Sequence, residues 1–268
     1  MDIGKKKRVL MIGMYPIQDP RHGGQLRVRA IYDAYRSAGV NVSYCSFVGW
    51  KWYENLSETD IEIDMSKASH DHNLTPDVYL SDYIDEAATT KFHELFKNYE
   101  PTIVQLEHPF LYFWIKAYLK RVKWSGRLIY SSQNAETDLK GQLADDLSNR
   151  FSSTASKNST KKRVKALESA LTKDADLVIA CTEADKRFYT KLGAHKVIIA
   201  KNAISPLRAI AENVQHWQSF FAEREVRKII LFIGSAHPPN VRGFLELVGC
   251  RLGFLPFDSN IVIVGGGV

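Results

Sequence analysis

Val9-Leu10-Met11-Ile12-Gly13-Met14, continuing into Tyr15-Pro16-Ile17-Gln18-Asp19-Pro20-Arg21-His22-Gly23-Gly24, decides the fold. The first six residues are apolar without polar alternation, the pattern of a parallel strand covered on both faces. The remainder is a loop. A helix follows, with Ile31, Ala34, Tyr35 and Ala38 at i, i+3, i+4, i+7 spacing. Gly39 stops it at the C′ position. Val40, Val42 and Tyr44 alternate into a second strand. Strand, glycine loop, helix and strand in this order open a doubly wound parallel α/β sheet.

Gly23 and Gly24 stand where the helix begins. Its unpaired N–H groups and partial positive charge attract phosphate or carboxylate, and glycine lets the backbone approach such an anion. A loop that needs positive φ and holds no ligand explains the pair equally well. The spacing Gly-x-Gly-x-x-Gly is absent, which argues against a dinucleotide cofactor.

The 268 residues suffice for one large domain or two small ones. With 45% apolar and 25% charged residues the composition is that of an ordinary soluble protein. A formal net charge of +6 suits anionic partners without choosing among nucleotides, phospholipid headgroups and nucleic acid. Cys45, Cys181 and Cys250 are odd in number and far apart, which points to reduced thiols rather than a disulfide frame or a metal site. Lys5-Lys6-Lys7-Arg8 before an apolar run imitates a signal peptide. Gly13 and Pro16 break that run and no small-residue cleavage site follows, so it reads as the first strand of a cytoplasmic protein. No apolar stretch approaches the roughly 18–20 residues of a spanning helix.

Outward from the opening unit, residues 54–86 are acidic and lack strong periodicity, which predicts a solvated, irregular excursion. A helix is expected from Asp85 to Tyr99 and a strand from Pro101 to Leu106, with Glu107-His108-Pro109 directly after it. Phe110 to Lys123 reads as an aromatic helix with Lys116, Lys120 and Lys123 along one face. Such a helix suits a membrane surface, but a core helix with one wet face is the commoner case. Arg127 to Ser132 is a strand whose tip, Gln133-Asn134-Ala135-Glu136, opens a further helix. Residues 151–165 are polar and basic and read as a mobile loop running into a helix through Leu171. Asp176 to Cys181 is a strand. Thr182 and Asp185 form a capping box for the helix that Gly193 ends, and Val197 to Ala200 is another strand. After a connector over 205–226 the pattern restarts: a strand from Arg227 to Ile233, a loop over 234–240, a helix from Val241 to Leu247, a strand from Ile261 to Val264, and Gly265-Gly266-Gly267. Two strands and one helix cannot bury a core of their own.

Five segments in this order carry a resemblance to the retaining glycosyltransferases of family 4. They are the Gly23-Gly24 loop, Val104 to Pro109, Ser132 to Glu136, Ala175 to Ile179 with Thr182, and Leu231 to Ser235 through Pro238-Pro239-Asn240. The resemblance implies the GT-B fold: a Rossmann-like acceptor-side domain over 1–204, a linker over 205–226, and over 227–268 the start of a second Rossmann-like domain that holds the nucleotide sugar. It implies transfer of a sugar, with retention, from a nucleotide-sugar donor to a glycan or lipid-linked acceptor in surface polysaccharide or glycolipid synthesis. The nucleotide sugar is a co-substrate, and neither a cofactor nor an obligatory metal is expected. Helix N-termini and basic side chains would then stabilise the leaving diphosphate. Gly23, Gly24 and Arg242 are the candidates for that role, although Arg242 is equally readable as a solvent-facing helix residue.

Glu107 and His108, at a strand's C-terminal end where open α/β sheets bind ligands, are the catalytic candidates. Neighbours on an extended segment point oppositely, so which of them faces the cleft is open. Asn134 and Glu136 are expected to line the cleft on the acceptor side, and loop capping is the plain reading of each. The resemblance puts a histidine where Gln133 stands, and proline and glycine where Lys201 and Ala203 stand. It also implies a pair of glutamates on a later helix, which this sequence does not reach, so the chain by itself is expected to be inactive or weakly active. The expected partners are a donor, an acceptor and, peripherally, the inner face of a membrane. No helix-turn-helix, RNP or zinc signature supports a nucleic-acid partner. The alternative is a non-catalytic binding module that uses the acceptor-domain surface.

Overall fold

The computed structural model describes residues 7–51, 53–202, 208–234, 238–249, 253 and 255–265. The expected loop residues Ser235 to His237, the residues Ser205, Pro206 and Ala203, Cys250, and Gly266-Gly267 lie outside them. The chain divides into two compact units, Met1–Ile204 and Ser205–Val268.

The first unit begins with β1 (Arg8–Gly13), α1 (Gly23–Ser37) and β2 (Asn41–Val48). Gly39 ends α1 at φ 72°, the left-handed conformation glycine tolerates. Next come β3 (Ile61–Glu62), α2 (His70–Leu74), α3 (Pro76–Tyr79), a 3-10 turn (Leu80–Tyr83) and α4 (Glu86–Tyr99), whose first turn is capped by the Asp85 carboxylate. β4 (Ile103–Leu106), α5 (Tyr112–Arg121), β5 (Arg127–Ser131) and α6 (Glu136–Asp146) follow. α7 (Thr154–Asp174), β6 (Leu177–Ala180), α8 (Glu183–Leu192) and β7 (Val197–Ile199) complete the unit.

The seven strands lie in the order β3-β2-β1-β4-β5-β6-β7, all parallel. From β1 the chain winds outward to β2 and β3, then returns to β4 on the opposite side and continues to β7. The crevice outside the carboxyl ends of β1 and β4 is therefore the switch point of the sheet, where doubly wound folds bind ligands. Alternate residues of β1 feed two cores. Leu10 and Ile12, with Met14 just beyond, pack with Val104, Leu106, Phe92, Tyr130 and Val178. Val9 and Met11 pack with Val28 of α1 and Tyr44. A fully buried side chain of this size stabilises by about 1.5–3 kcal/mol.

Two expectations fail and one of two alternatives is settled. Residues 54–86 are not a solvated excursion, because Ile61, Ile63, Met65, Val78, Tyr79 and Leu80 are buried in the main core. Even the acidic Asp60 is buried, and it accepts from Ser46 Oγ at 2.5 Å and Ser57 N at 2.7 Å. Residues 154–165 are no loop but the first half of α7, capped by Ser153, whose Oγ accepts from Ser156 N at 3.0 Å. Lys161 pairs with Asp145 at 2.6 Å and Arg163 with Asp82 at 2.5 Å, so partners hold this polar face. The aromatic helix α5 turns Tyr112, Ile115, Tyr118 and Leu119 into the core, which is the commoner of its two readings, a core helix with one wet face. Its basic face is shortened, since Lys116 pairs with Asp174 at 2.5 Å and Lys123 lies beyond the helix at φ 53°. Among the described residues no helix is long and apolar enough to cross a membrane.

The second unit holds α9 (Ala211–Ala222), β8 (Lys228–Ile233), α10 (Pro238–Leu247) and β9 (Ser259–Val264), with β8 and β9 paired in parallel. α10 starts three residues before the expected Val241. Pro238 fits there, because a first-turn proline gives up only an N–H that has no partner in the helix. Ile229, Leu231, Ile233 and Val264 of the two strands are exposed.

Candidate functional site

Tyr15 organises the switch point. It stands two residues beyond β1, buried, and its hydroxyl oxygen accepts from the Gln133 side-chain amide at the tip of β5. The same hydroxyl lies 3.4 Å from His108 Nε2. Its ring meets those of His22 and His108 edge-on, at centroid distances of 4.9 and 5.2 Å. Burial raises the Tyr15 pKa well above its usual value, and the carboxylates of Glu107 and Glu136 add to the rise. Tyr15 therefore remains a hydroxyl, and the His108 tautomer sets which of the two groups donates to the other. His108 Nδ1 is buried and has no hydrogen-bond partner among the described residues. Burial holds His108 neutral, with a pKa of about 3, and Lys140 and His22 push it in the same direction.

The loop geometry also settles why a glycine is needed at Gly24. A Cβ there would lie 2.6 Å from the Tyr15 hydroxyl and 2.7 Å from Gln133 Oε1. Neither Gly23 nor Gly24 takes a positive φ, so the strained-loop explanation fails. A Cβ at Gly23 would meet nothing within 4 Å among the described residues, and Gly23 is exposed as the first residue of α1.

Glu107 is fully buried, one residue past β4. Its Oε1 accepts from the Gln105 amide at 2.7 Å. Burial raises its pKa to about 7, with hydrogen bonding by the Gln105 and Ser131 side chains and the Arg27 charge working against the rise. Glu136, the first residue of α6, is 3% exposed. Burial lifts its pKa to about 8; Lys140 opposes this, and Asp77 and Glu168 reinforce it. Lys140, one turn along α6, forms an ion pair with Asp77 of α3. Burial disfavours the Lys140 charge, yet Asp77 and Glu136 keep its pKa above normal. Glu107, His108 and Glu136 thus converge on the surroundings of Tyr15. The two carboxyls form a buried floor rather than an open wall.

Asn134 is exposed, and its carbonyl oxygen accepts from Ser132 Oγ at 2.8 Å. Arg242 belongs to the second unit, where it pairs with Glu246 at 2.7 Å, one turn along α10.

Two residues of the site carry no local sequence signal. Glu168 of α7 is fully buried and accepts from Glu136 N at 2.9 Å, Thr137 N at 2.7 Å and Tyr189 Oη at 2.8 Å. It caps α6, whose N-cap residue Ala135 has no side-chain acceptor. Arg27 of α1 is 5% exposed, and its Nη1 donates to Ala200 O at 2.7 Å and Asn202 Oδ1 at 2.8 Å. Among the described residues no group of three or more His, Cys, Asp or Glu side chains is arranged to hold a metal ion.

No protein-family model and no curated sequence matches the chain. Solved structures do match. Sucrose-phosphate synthase from Thermosynechococcus elongatus superposes with a TM-score of 0.57 at 11% identity, over 97% of this chain and 71% of that one. A UDP-glucosyltransferase from Polygonum tinctorium, capable of glucosylating indoxyl, gives 0.53 at 12% identity, over 97% and 72%. UGT2 of Phytolacca americana, solved with UDP-2-fluoro-glucose and pterostilbene, gives 0.51 at 10%, also over 97% and 72%. At these identities the likeness concerns the fold: the chain is an α/β protein of GT-B type, with a Rossmann-like sheet and a smaller second unit of the same strand–helix–strand kind.

Proposed function

We propose that the protein transfers a sugar from a nucleotide-sugar donor to a glycan or lipid-linked acceptor, with retention of configuration, as a member of glycosyltransferase family 4. The observation that supports this most is the convergence of Glu107, His108 and Glu136 on Tyr15 at the switch point of the sheet, beside the Gly23-Gly24 start of α1. In this reading the bond between the anomeric carbon and the diphosphate oxygen breaks, and an acceptor oxygen takes its place. Gly23, Gly24 and Arg242 stabilise the departing diphosphate, and no obligatory metal takes part. A carboxyl poised near neutrality exchanges protons readily, so Glu107 takes the acceptor's proton. His108, protonated on Nδ1, donates to a sugar oxygen. Asn134 and Glu136 bound the acceptor side. The setting is cytoplasmic, at or near the inner face of a membrane, in surface polysaccharide or glycolipid synthesis.

The test is binding and hydrolysis of a panel of UDP-, GDP- and ADP-sugars, followed through the backbone amide signals of Gly23 and Gly24. One donor that binds and moves both signals supports sugar transfer. Silence across the panel from a folded chain that binds a glycan supports a non-catalytic module instead.

A further inference from the structure

Among the described residues Arg27 is a charged side chain with three of its five N–H donors unpaired. Nη1 is engaged by Ala200 O and Asn202 Oδ1, at the carboxyl end of β7. Nε and Nη2 are buried without a hydrogen-bond partner among the described residues. These two nitrogens form one edge of the guanidinium, the fork that grips a carboxylate or phosphate with two parallel hydrogen bonds. Leaving such a fork empty in a buried place is costly. The surroundings fix where it lies. The Arg27 charge acts on Glu107 beyond β4 and on Cys181 beyond β6. Cys181 Sγ in turn lies 3.2 Å from Gln133 O, beyond β5. The side chain therefore starts from the second turn of α1 and reaches over the row of strand ends that forms the candidate site.

We propose that Arg27 is an oxyanion-binding residue, whose Nε–Nη2 edge takes a phosphoryl or carboxylate group of a substrate in a bidentate grip. The donor diphosphate and an anionic group on the acceptor offer the same chemistry. Only the choice between these two sources rests on the sugar-transfer reading. The fork itself follows from the unpaired edge.

The experiment follows the Arg27 Nε–H signal of the whole chain by NMR during titration with inorganic phosphate, then with UDP, then with a hexose 6-phosphate. The expected result is a saturable shift of that signal with inorganic phosphate. In Arg27→Lys, which keeps the charge and loses the fork, affinity should fall at least about tenfold. A loss confined to UDP assigns the fork to the donor, and a loss confined to the hexose phosphate assigns it to an anionic acceptor. Phosphate binding through Arg27 with no binding of any nucleotide keeps the site and removes the sugar-transfer reading. An Nε–H signal that phosphate leaves unmoved overturns the proposal, as does a folded Arg27→Lys that binds phosphate as tightly as the wild type. An Nε–H signal that shifts when Glu107 ionises, but not with phosphate, identifies Glu107 as the internal occupant and also overturns it. If Arg27→Lys fails to fold, the wild-type titration alone decides.

Discussion

Gln105 and Glu107 lie two residues apart and so share one face of the β4 segment, and the Gln105 amide donates to Glu107 Oε1 at 2.7 Å. Gln105 Oε1 in turn accepts from the Tyr35 hydroxyl of α1 at 2.8 Å, which fixes the orientation of the amide. Glu107 Oε1 is thereby held in place, and the whole carboxyl is buried beside the Ser131 hydroxyl.

This arrangement predicts how stability depends on pH. Burial raises the Glu107 pKa from 4.5 to about 7 and that of Glu136 from 4.5 to about 8. Below about 4.5 folded and unfolded chains both keep these protons. As the pH rises from there to the folded values, the unfolded chain releases them first, so stability falls and then levels off. For Glu107 the loss is ~3 kcal/mol at most. Urea denaturation at about pH 5 and about pH 9 should show a smaller loss in Glu107→Gln and Glu136→Gln than in the wild type, because neither amide ionises. Parallel profiles for all three proteins would refute the buried-carboxyl account.

The two neighbouring glycines should behave differently. Gly24→Ala places a methyl against Tyr15 and Gln133 and should destabilise by about 1–3 kcal/mol. Gly23→Ala meets open space in a helix and should be neutral or stabilise by up to about 1 kcal/mol. Equal denaturation midpoints for the two variants would count against the Tyr15–Gln133 contact.

Removing the Glu168 carboxylate strands two backbone N–H groups, while the Tyr189 hydroxyl keeps Asn134 O as an acceptor at 2.8 Å. Glu168→Ala should cost about 3 kcal/mol or more, and the amides of Glu136 and Thr137 should exchange with solvent much faster. Unchanged exchange at those two amides would show that another group caps α6.

Arg242 and Glu246 form an exposed pair on one helix face, at 2.7 Å. Such pairs contribute about 0.3–0.5 kcal/mol, so loss of this pair costs Arg242→Ala little stability. A weaker affinity for UDP in that variant then reports on binding alone. An unchanged affinity removes Arg242 from the donor site.

The parts of the fold that follow local rules could be read from the sequence. The apolar run of β1, the Gly39 stop and the Thr182–Asp185 capping box each act within a few residues, and each stands where expected. Segments that depend on distant partners could not. Ile61, Ile63, Met65, Val78 and Leu80 bury themselves in an acidic stretch without a regular period. The polar half of α7 is a helix whose basic side chains find Asp145 and Asp82 on other elements. The candidate site divides in the same way. Glycines at a helix start and polar residues at strand tips are local patterns. Tyr15, Arg27, Asp77 and Glu168 matter through contacts with residues tens or hundreds of positions away, and no single sequence marks such contacts.

The cap on α6 bears on protein engineering. Loops at strand ends are the parts of a doubly wound sheet most often exchanged to change specificity. Here the Ser132–Glu136 tip does not carry its own fastening, because the acceptor for its helix is a glutamate 32 residues further on. Grafting this tip into another scaffold, or replacing it here, succeeds only when that distant carboxylate travels with it, so the unit of recombination is a loop together with a helix.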